Sequence, residues 1–339
     1  MHFKPASVIH NGLIPIFNLA SVLFKGVSLI VLGMRSLRRK SYPGTLIISV
    51  DNLSFGGTGK TTLVRQIGHM LMSRGLKFAI VSRGYRSECE KAGARVSVSS
   101  RVREVGDEAL LLKKQLPSGD VYVGKNRRAS IQKALENNCR IIILDDGFQS
   151  AGIHKNLKIM LINPRHPYYY LRNFKWLSHR EDVVLSLTGK SDSIPSSGSG
   201  FPEPVQKKPG RPLRGHYTFS EPVFFTSGGL EADLKSSGLL GFSALGDNPR
   251  FQSDLTRFNL KRFEPFPDHH AFTQADLNRL DSIRKKNRLD YLVCTEKDFV
   301  KLSELNISGI PLIYAKNSIK LSINLDELIL RHVRQENFI

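Results

Sequence analysis

Apolar positions along this chain gather into short unbroken runs, the pattern of strands buried on both faces of a sheet. Leu46–Val50, Phe78–Ser82, Val121–Val123, Ile141–Leu144, Leu157–Ile162 and Asp182–Leu187 are such runs. Between them the spacing turns helical. Leu63, Ile67, Met70 and Leu71 share one face after Lys60, a helix is read from Asp107 through Leu112, and another spans Arg128–Asn137. Strands alternating with helices predict an α/β domain around a parallel sheet. Further on, Val223–Phe225, Leu239–Phe242, Tyr291–Cys294 and Ile310–Tyr314 predict a second, smaller α/β unit. The segment Gly189–Gly215 is rich in Ser, Pro, Gly and Lys and reads as a flexible linker. The expected organisation is therefore an N-terminal helix with its basic flank over 1–40, a core over 41–188, a linker over 189–215 and a C-terminal lobe over 216–339.

The N-terminal helix has its own pattern. Leu13 to Met34 is apolar except for Asn18, Ser21, Lys25 and Ser28, which fall on one helical face. Spanning a bilayer takes roughly 20 residues, and Arg35, Arg38, Arg39 and Lys40 follow at once. A cleaved leader would need a shorter apolar core and a small-residue cleavage site, and a buried core helix is the plainer alternative. A membrane-associated helix fits best, spanning or lying in the interface, with the basic run beside anionic headgroups on the cytoplasmic side.

Composition sharpens the picture. Lys and Arg number 50 against 30 Asp and Glu, a formal charge of +20 over 339 residues, which implies a polyanionic partner: nucleic acid, an anionic membrane or a phosphorylated substrate. The 40% hydrophobic content excludes wholesale disorder. Cys89, Cys139 and Cys294 stand far apart, which excludes a disulfide framework or zinc ribbon.

The candidate chemistry lies at strand ends. After Leu46–Val50 the chain reads Ser54-Phe55-Gly56-Gly57-Thr58-Gly59-Lys60-Thr61 and enters a helix. Strand, glycine loop, Gly-Lys-Thr and helix make the context of a P-loop, in which backbone N–H groups and a helix N-terminus cradle phosphate. Ser54 replaces the usual first glycine, so the loop is a variant form. Lys60 would reach the β/γ-phosphates of ATP and the Thr61 hydroxyl would ligate Mg²⁺. The apolar run Ile141–Leu144 ends in Asp145-Asp146-Gly147-Phe148-Gln149, the position at which such folds hold Mg²⁺ through acidic side chains. These two signals together predict an α/β, P-loop NTPase-like parallel sheet. Asp107 and Glu108 read either as helix capping or as chemistry, and Pro267-Asp268-His269-His270 either as surface or as a catalytic imidazole. The adjacent histidines lack the spacing of a metal helix. Thr295-Glu296-Lys297-Asp298 again places charge at a strand end.

Taken in order, Ser54–Thr61, Ser82-Arg83-Gly84-Tyr85, Gly106-Asp107-Glu108, Asp145–Gln149, Gly246-Asp247-Asn248-Pro249, Pro267–His270 and Thr295–Asp298 resemble one family, the tetraacyldisaccharide 4′-kinases of lipid A biosynthesis. The resemblance implies a transferase that moves the γ-phosphate of ATP to the 4′-hydroxyl of an acylated glucosamine disaccharide 1-phosphate. It also implies Mg²⁺, a smaller C-terminal α/β lobe, and an enzyme on the cytoplasmic face of the bacterial inner membrane. It assigns Asp107, His269 and Lys60 to catalysis and Ser54–Thr61 to ATP. Thr61, Asp145 and Asp146 go to the metal, and Glu108, Gln149, Arg172 and Asp268 to the substrate or to accessory roles. The chain departs from the family in Ser150, where a histidine is usual, and in Asn173, where a carboxylate is usual after Arg172. Two other classes stand beside this reading. A P-loop ATPase or switch could bind nucleic acid through the basic surface, although zinc-finger, RNP and helix-turn-helix signatures are all absent. A membrane scaffold with a degenerate nucleotide site would fit Asn173 and Ser150. With the resemblance in place, nucleic acid is not the expected partner, and the oligomeric state is open.

Overall fold

A computed structural model describes residues 39–52, 58–147, 150, 152–163, 182–188, 212–232, 234, 237–246, 248–336 and 338. The expected helix at Leu13–Met34 and most of the expected linker lie outside the described residues. Among the described residues, no helix is long and apolar enough to cross a membrane.

The chain runs β1 (Leu46–Asn52), α1 (Lys60–Ser73), β2 (Phe78–Ser82), α2 (Cys89–Ala92), β3 (Ala94–Arg95), α3 (Val102–Val105), α4 (Asp107–Gln115), β4 (Asp120–Val123), α5 (Arg127–Glu136), β5 (Ile141–Asp145), β6 (Leu157–Ile162) and β7 (Val183–Leu187). It continues through β8 (Leu213–Phe219), β9 (Val223–Thr226), β10 (Leu239–Ser243), α6 (Asn248–Leu255), β11 (Leu260–Pro265), α7 (Gln274–Lys286) and β12 (Tyr291–Thr295). The last elements are α8 (Glu296–Leu302), β13 (Leu312–Lys316), β14 (Ile319–Leu321) and α9 (Leu325–Gln335). A nine-stranded sheet has the order β14-β8-β7-β6-β1-β5-β2-β4-β3, and a five-stranded sheet the order β11-β10-β12-β13-β9. In the larger sheet, every pair from β8 to β4 is parallel and only the edge strands β14 and β3 are antiparallel. This is the α/β architecture with a parallel sheet that the alternation of strand and helix patterns predicts.

Every residue of β1, β2, β4, β5 and β10 is buried, which explains why their sequences are continuous and not alternating. One face of the large sheet packs Leu63, Ile67 and Leu71 of α1 against Leu46, Ile48 and Val50; the other sets Ile131 and Ala134 of α5 against Ile47, Ile142 and Leu144. The chain passes from β5 to β6 over β1, so the winding reverses beside β1. In parallel α/β sheets, ligands bind in the crevice beyond the C-terminal strand ends at such a reversal.

The division between the sheets is not linear. Leu213–Phe219, which the reading above splits between linker and C-terminal lobe, is strand β8 of the first sheet. The chain builds the second sheet from β9 to β13 and then returns, with β14 pairing to β8. Leu325, Ile329, Leu330 and Val333 of α9 join the first core. The boundary at 216–339 therefore includes elements that fold onto the first sheet.

Arg65 of α1 fastens this crossover. It is buried and hydrogen-bonds Glu296 at the start of α8, the Asn317 carbonyl and Gln115 of α4. Burial pushes the Glu296 carboxyl up and the Arg65 charge opposes this. Arg65→Ala leaves that carboxylate with Gln115 Nε2 and the Lys316 ammonium at 4.0 Å, so the loss stays below the roughly 3–5 kcal/mol of a fully uncompensated buried charge. A clear fall in the urea midpoint is expected, with partial recovery when Glu296→Leu is added.

Candidate active site

The C-terminal ends of β1, β2 and β5 and the N-termini of α1 and α4 meet at the reversal point. In register, Val50 lies opposite Asp145 and Val81 opposite Leu144, so three strands end at one level. Of the glycine loop, Ser54, Phe55, Gly56 and Gly57 lie outside the described residues, as do Gln149 and Arg172. Thr58 to Thr61 are described. Thr58 is buried; its hydroxyl accepts from Asn52 Nδ2 at 3.1 Å and its carbonyl from Tyr217 Oη of β8 at 2.8 Å. Gly59 caps α1 with φ near +81°, and a Cβ there would meet Phe219 Cζ at 2.6 Å. Only glycine satisfies both the left-handed backbone and this contact. Strand β8, unforeseen in the sequence, thus braces the loop with two aromatic rings.

Lys60 opens α1 and places Nζ 3.5 Å from Asp145 Oδ1 and 3.4 Å from Asp146 Oδ2. Asp145 is buried; its Oδ2 accepts from Ser82 Oγ at 3.2 Å, while Oδ1 has no hydrogen-bond partner. Burial raises the Asp145 carboxyl's pKa, with Lys60 opposing and Glu108 and Asp146 adding to the rise. Asp146 holds a left-handed backbone at φ 59°, a conformation that non-glycine residues keep only where the surroundings enforce it. Thr61 lies in the first turn of α1. Among the described residues no group of three or more His, Cys, Asp or Glu could hold a metal. Two carboxylates and a hydroxyl, one carboxylate oxygen being buried without a hydrogen bond, still fit Mg²⁺, which keeps waters and binds through one or two carboxylates plus substrate phosphate.

Sequence reasoning missed Arg127. It is buried at the start of α5 and donates to the Gly124 and Asp145 carbonyls at 2.9 and 3.2 Å. Burial lowers its pKa, while Asp145 and Asp146 oppose that shift.

A second cluster stands across from the first. Asp107 opens α4, and His269, on the loop after β11, brings Nδ1 to 3.4 Å from its Oδ2. His269 is also left-handed, at φ 61°, and its amide donates to the Ala244 carbonyl at 3.3 Å. The neighbouring His270 behaves differently. It pairs with Asp276 at 3.1 Å and packs between Phe266 and Phe272, a structural role. Asp268 is exposed, 3.9 Å from His269 Nε2. Lys297 and Lys301 of α8 lie 3.6 and 3.7 Å from Asp107 Oδ2, and Lys297 Nζ is 3.0 Å from Glu108 Oε1. Burial alone would raise the Asp107 carboxyl, but the His269 hydrogen bond and the two lysine charges outweigh it and hold the pKa far below the usual carboxylate range. Lys297 lowers the Glu108 carboxyl and Lys60 adds to the effect, so Glu108 lies electrostatically between the two clusters. The structure therefore brings Lys60, Asp145, Asp146, Glu108, Asp107 and His269 to one crevice, with His269 supplied by the second sheet.

Comparison with known proteins places the chain in one family. The sequence model described as LpxK, tetraacyldisaccharide-1-P 4′-kinase, matches residues 15–334. A tetraacyldisaccharide 4′-kinase of Desulfotalea psychrophila is 30% identical over 92% of this chain and 94% of its own length. One from Chlamydia caviae is 33% identical over 80% of this chain and 77% of its own. Among solved structures, the "apo" form of LpxK from Aquifex aeolicus in complex with ATP superposes with a TM-score of 0.71 at 25% identity, covering 96% of this chain and 99% of that one. With the match running nearly end to end and the fold shared over the same length, the chain belongs to the tetraacyldisaccharide-1-P 4′-kinase family.

Proposed function

We propose that this protein is the ATP-dependent 4′-kinase of a tetraacylated glucosamine disaccharide 1-phosphate, forming the 4′-phosphorylated lipid A precursor and ADP. The observation that carries this reading is the meeting of the Asp107–His269 pair with the Lys60–Asp145–Asp146 cluster. A sugar hydroxyl is a weak nucleophile, and an ionised carboxylate within reach accepts its proton as it attacks phosphorus. Asp107, kept ionised by its cationic neighbours, is that base, and His269 orients it. Lys60, already poised over two carboxylates, compensates charge on the β- and γ-phosphates. The family resemblance gives residues 54–61 to the triphosphate, and Gln149 and Arg172 to substrate or accessory roles. Mg²⁺ at Thr61, Asp145 and Asp146 would supply Lewis-acid neutralisation of the phosphates. The apolar segment Leu13–Met34 and its basic flank hold the enzyme to the anionic cytoplasmic face of the inner membrane.

The test is purified protein in detergent with γ-labelled ATP, Mg²⁺ and the tetraacylated disaccharide 1-phosphate. Label is expected in the lipid, at a rate unaffected by added nucleic acid. Label found only as inorganic phosphate, or released on addition of nucleic acid and not lipid, contradicts the reading.

A further inference from the structure

Helix α8 has charged side chains at Glu296, Lys297, Asp298 and Lys301. Glu296 fastens Arg65 and Lys297 meets Glu108, which leaves Asp298 and Lys301, both buried. Asp298 is fully buried. Its Oδ2 accepts from the Ala244 amide at 3.1 Å and from the Thr295 hydroxyl at 2.7 Å, and its Oδ1 lies 3.2 Å from Lys301 Nζ. Lys301 Nζ reaches on to Asp107 Oδ2 at 3.7 Å and sits 5.7 Å above the Phe272 ring. Asp107 meets His269, and the His269 amide donates to the Ala244 carbonyl. The contacts close a ring: Ala244, Asp298, Lys301, Asp107, His269 and back to Ala244. A buried ammonium needs one carboxylate to offset its desolvation, and Asp298 already provides it. The second contact, to Asp107, extends this pair into the active site.

We propose that Lys301, anchored by Asp298, is a positioning residue that holds the Asp107 carboxylate against His269 across the junction of the two lobes. This rests on the base role given to Asp107. Lys297 is the less suited of the two lysines, being shared with Glu108 and more exposed. The charged groups facing Asp107 are His269 from the loop after β11, Lys297 and Lys301 from α8, and Glu108 on its own helix, with Asp268 beside His269. Removing one cation raises the pKa of the Asp107 carboxyl, so the acid limb of the rate profile moves to higher pH.

The experiment compares wild type, Lys301→Met, Lys301→Arg and Asp298→Asn/Lys301→Met as full chains in the detergent assay. The double variant leaves no unpaired charge buried at Asp298 and keeps acceptors for Ala244 and Thr295, so it retains the fold even where the single methionine variant loses it. In the folded variants without Lys301, kcat is expected to fall by about 10–100-fold with KM for ATP little changed. Their acid limb shifts upward, and Lys301→Arg restores most of the rate. A folded double variant with wild-type kcat and an unmoved pH profile overturns the proposal, as does a loss confined to KM. Absence of transfer by the wild type would instead remove the kinase reading itself.

Discussion

Lys60→Ala is expected to lower phosphate transfer by about two to three orders of magnitude, the usual cost of deleting one group aimed at developing charge in a water-poor site. Its ammonium is the cation within 3.5 Å of both Asp145 and Asp146, at the first residue of α1. Alanine withdraws the countercharge from the phosphates and also from the carboxylate pair. Asp145, already pushed up by burial, would then take a proton more readily and hold a cation less well. The loss should appear in kcat and in KM for ATP together, in protein that circular dichroism shows to be folded, with a lowered melt because buried Asp145 loses its cation. A variant within tenfold of wild type would remove Lys60 from the mechanism.

Asp107→Asn is the second large effect. The amide preserves shape and still accepts the Glu108 amide, which donates to Asp107 Oδ1 at 2.9 Å, but it cannot take a proton. General-base removal costs about 10²–10⁴-fold, here in kcat at nearly constant KM. His269→Ala should cost less, because it removes the orienting group and leaves the base. The double variant should resemble Asp107→Asn alone, since residues acting as a unit are not additive. The sign of the pH dependence follows from the depressed Asp107 pKa. The group is ionised throughout the neutral range, so its contribution to rate is lost only on acidification. Its cation contacts likewise stabilise the fold above its unfolded pKa, about 4, and that contribution disappears as pH falls toward the folded value. Full activity of Asp107→Asn at neutral pH would exclude it as the base.

Much of this was legible in the sequence, for a physical reason. Strands such as β1 and β5 are buried on both faces, so their apolar runs are unbroken and end where the chemistry begins. Lys60, Asp145 and Asp107 sit at those ends within short motifs. Strand β8 was not legible, because Leu213–Phe219 alternates with exposed residues and follows a polar stretch. Helix α9 keeps helical spacing at Leu325, Ile329 and Val333, yet nothing in that spacing says which sheet it covers. Arg127 and Lys301 were missed because their meaning depends on groups remote in sequence, the Asp145 carbonyl and the Asp107 carboxylate. Residue type alone does not separate His269 from His270; the resemblance assigns the first, and its left-handed backbone turns that imidazole to Asp107 while His270 packs between phenylalanines.

The crevice between the lobes directs phosphate onto one sugar hydroxyl. Phosphorus NMR of the lipid product, formed by wild-type protein from ATP and the tetraacylated disaccharide 1-phosphate, tests it directly. Two phosphomonoester resonances are expected, the original one at the anomeric position and a new one coupled to the 4′ proton, with one ADP formed per new phosphate. A single unchanged resonance, or a new phosphate on the 1-phosphate as a pyrophosphate, would contradict it.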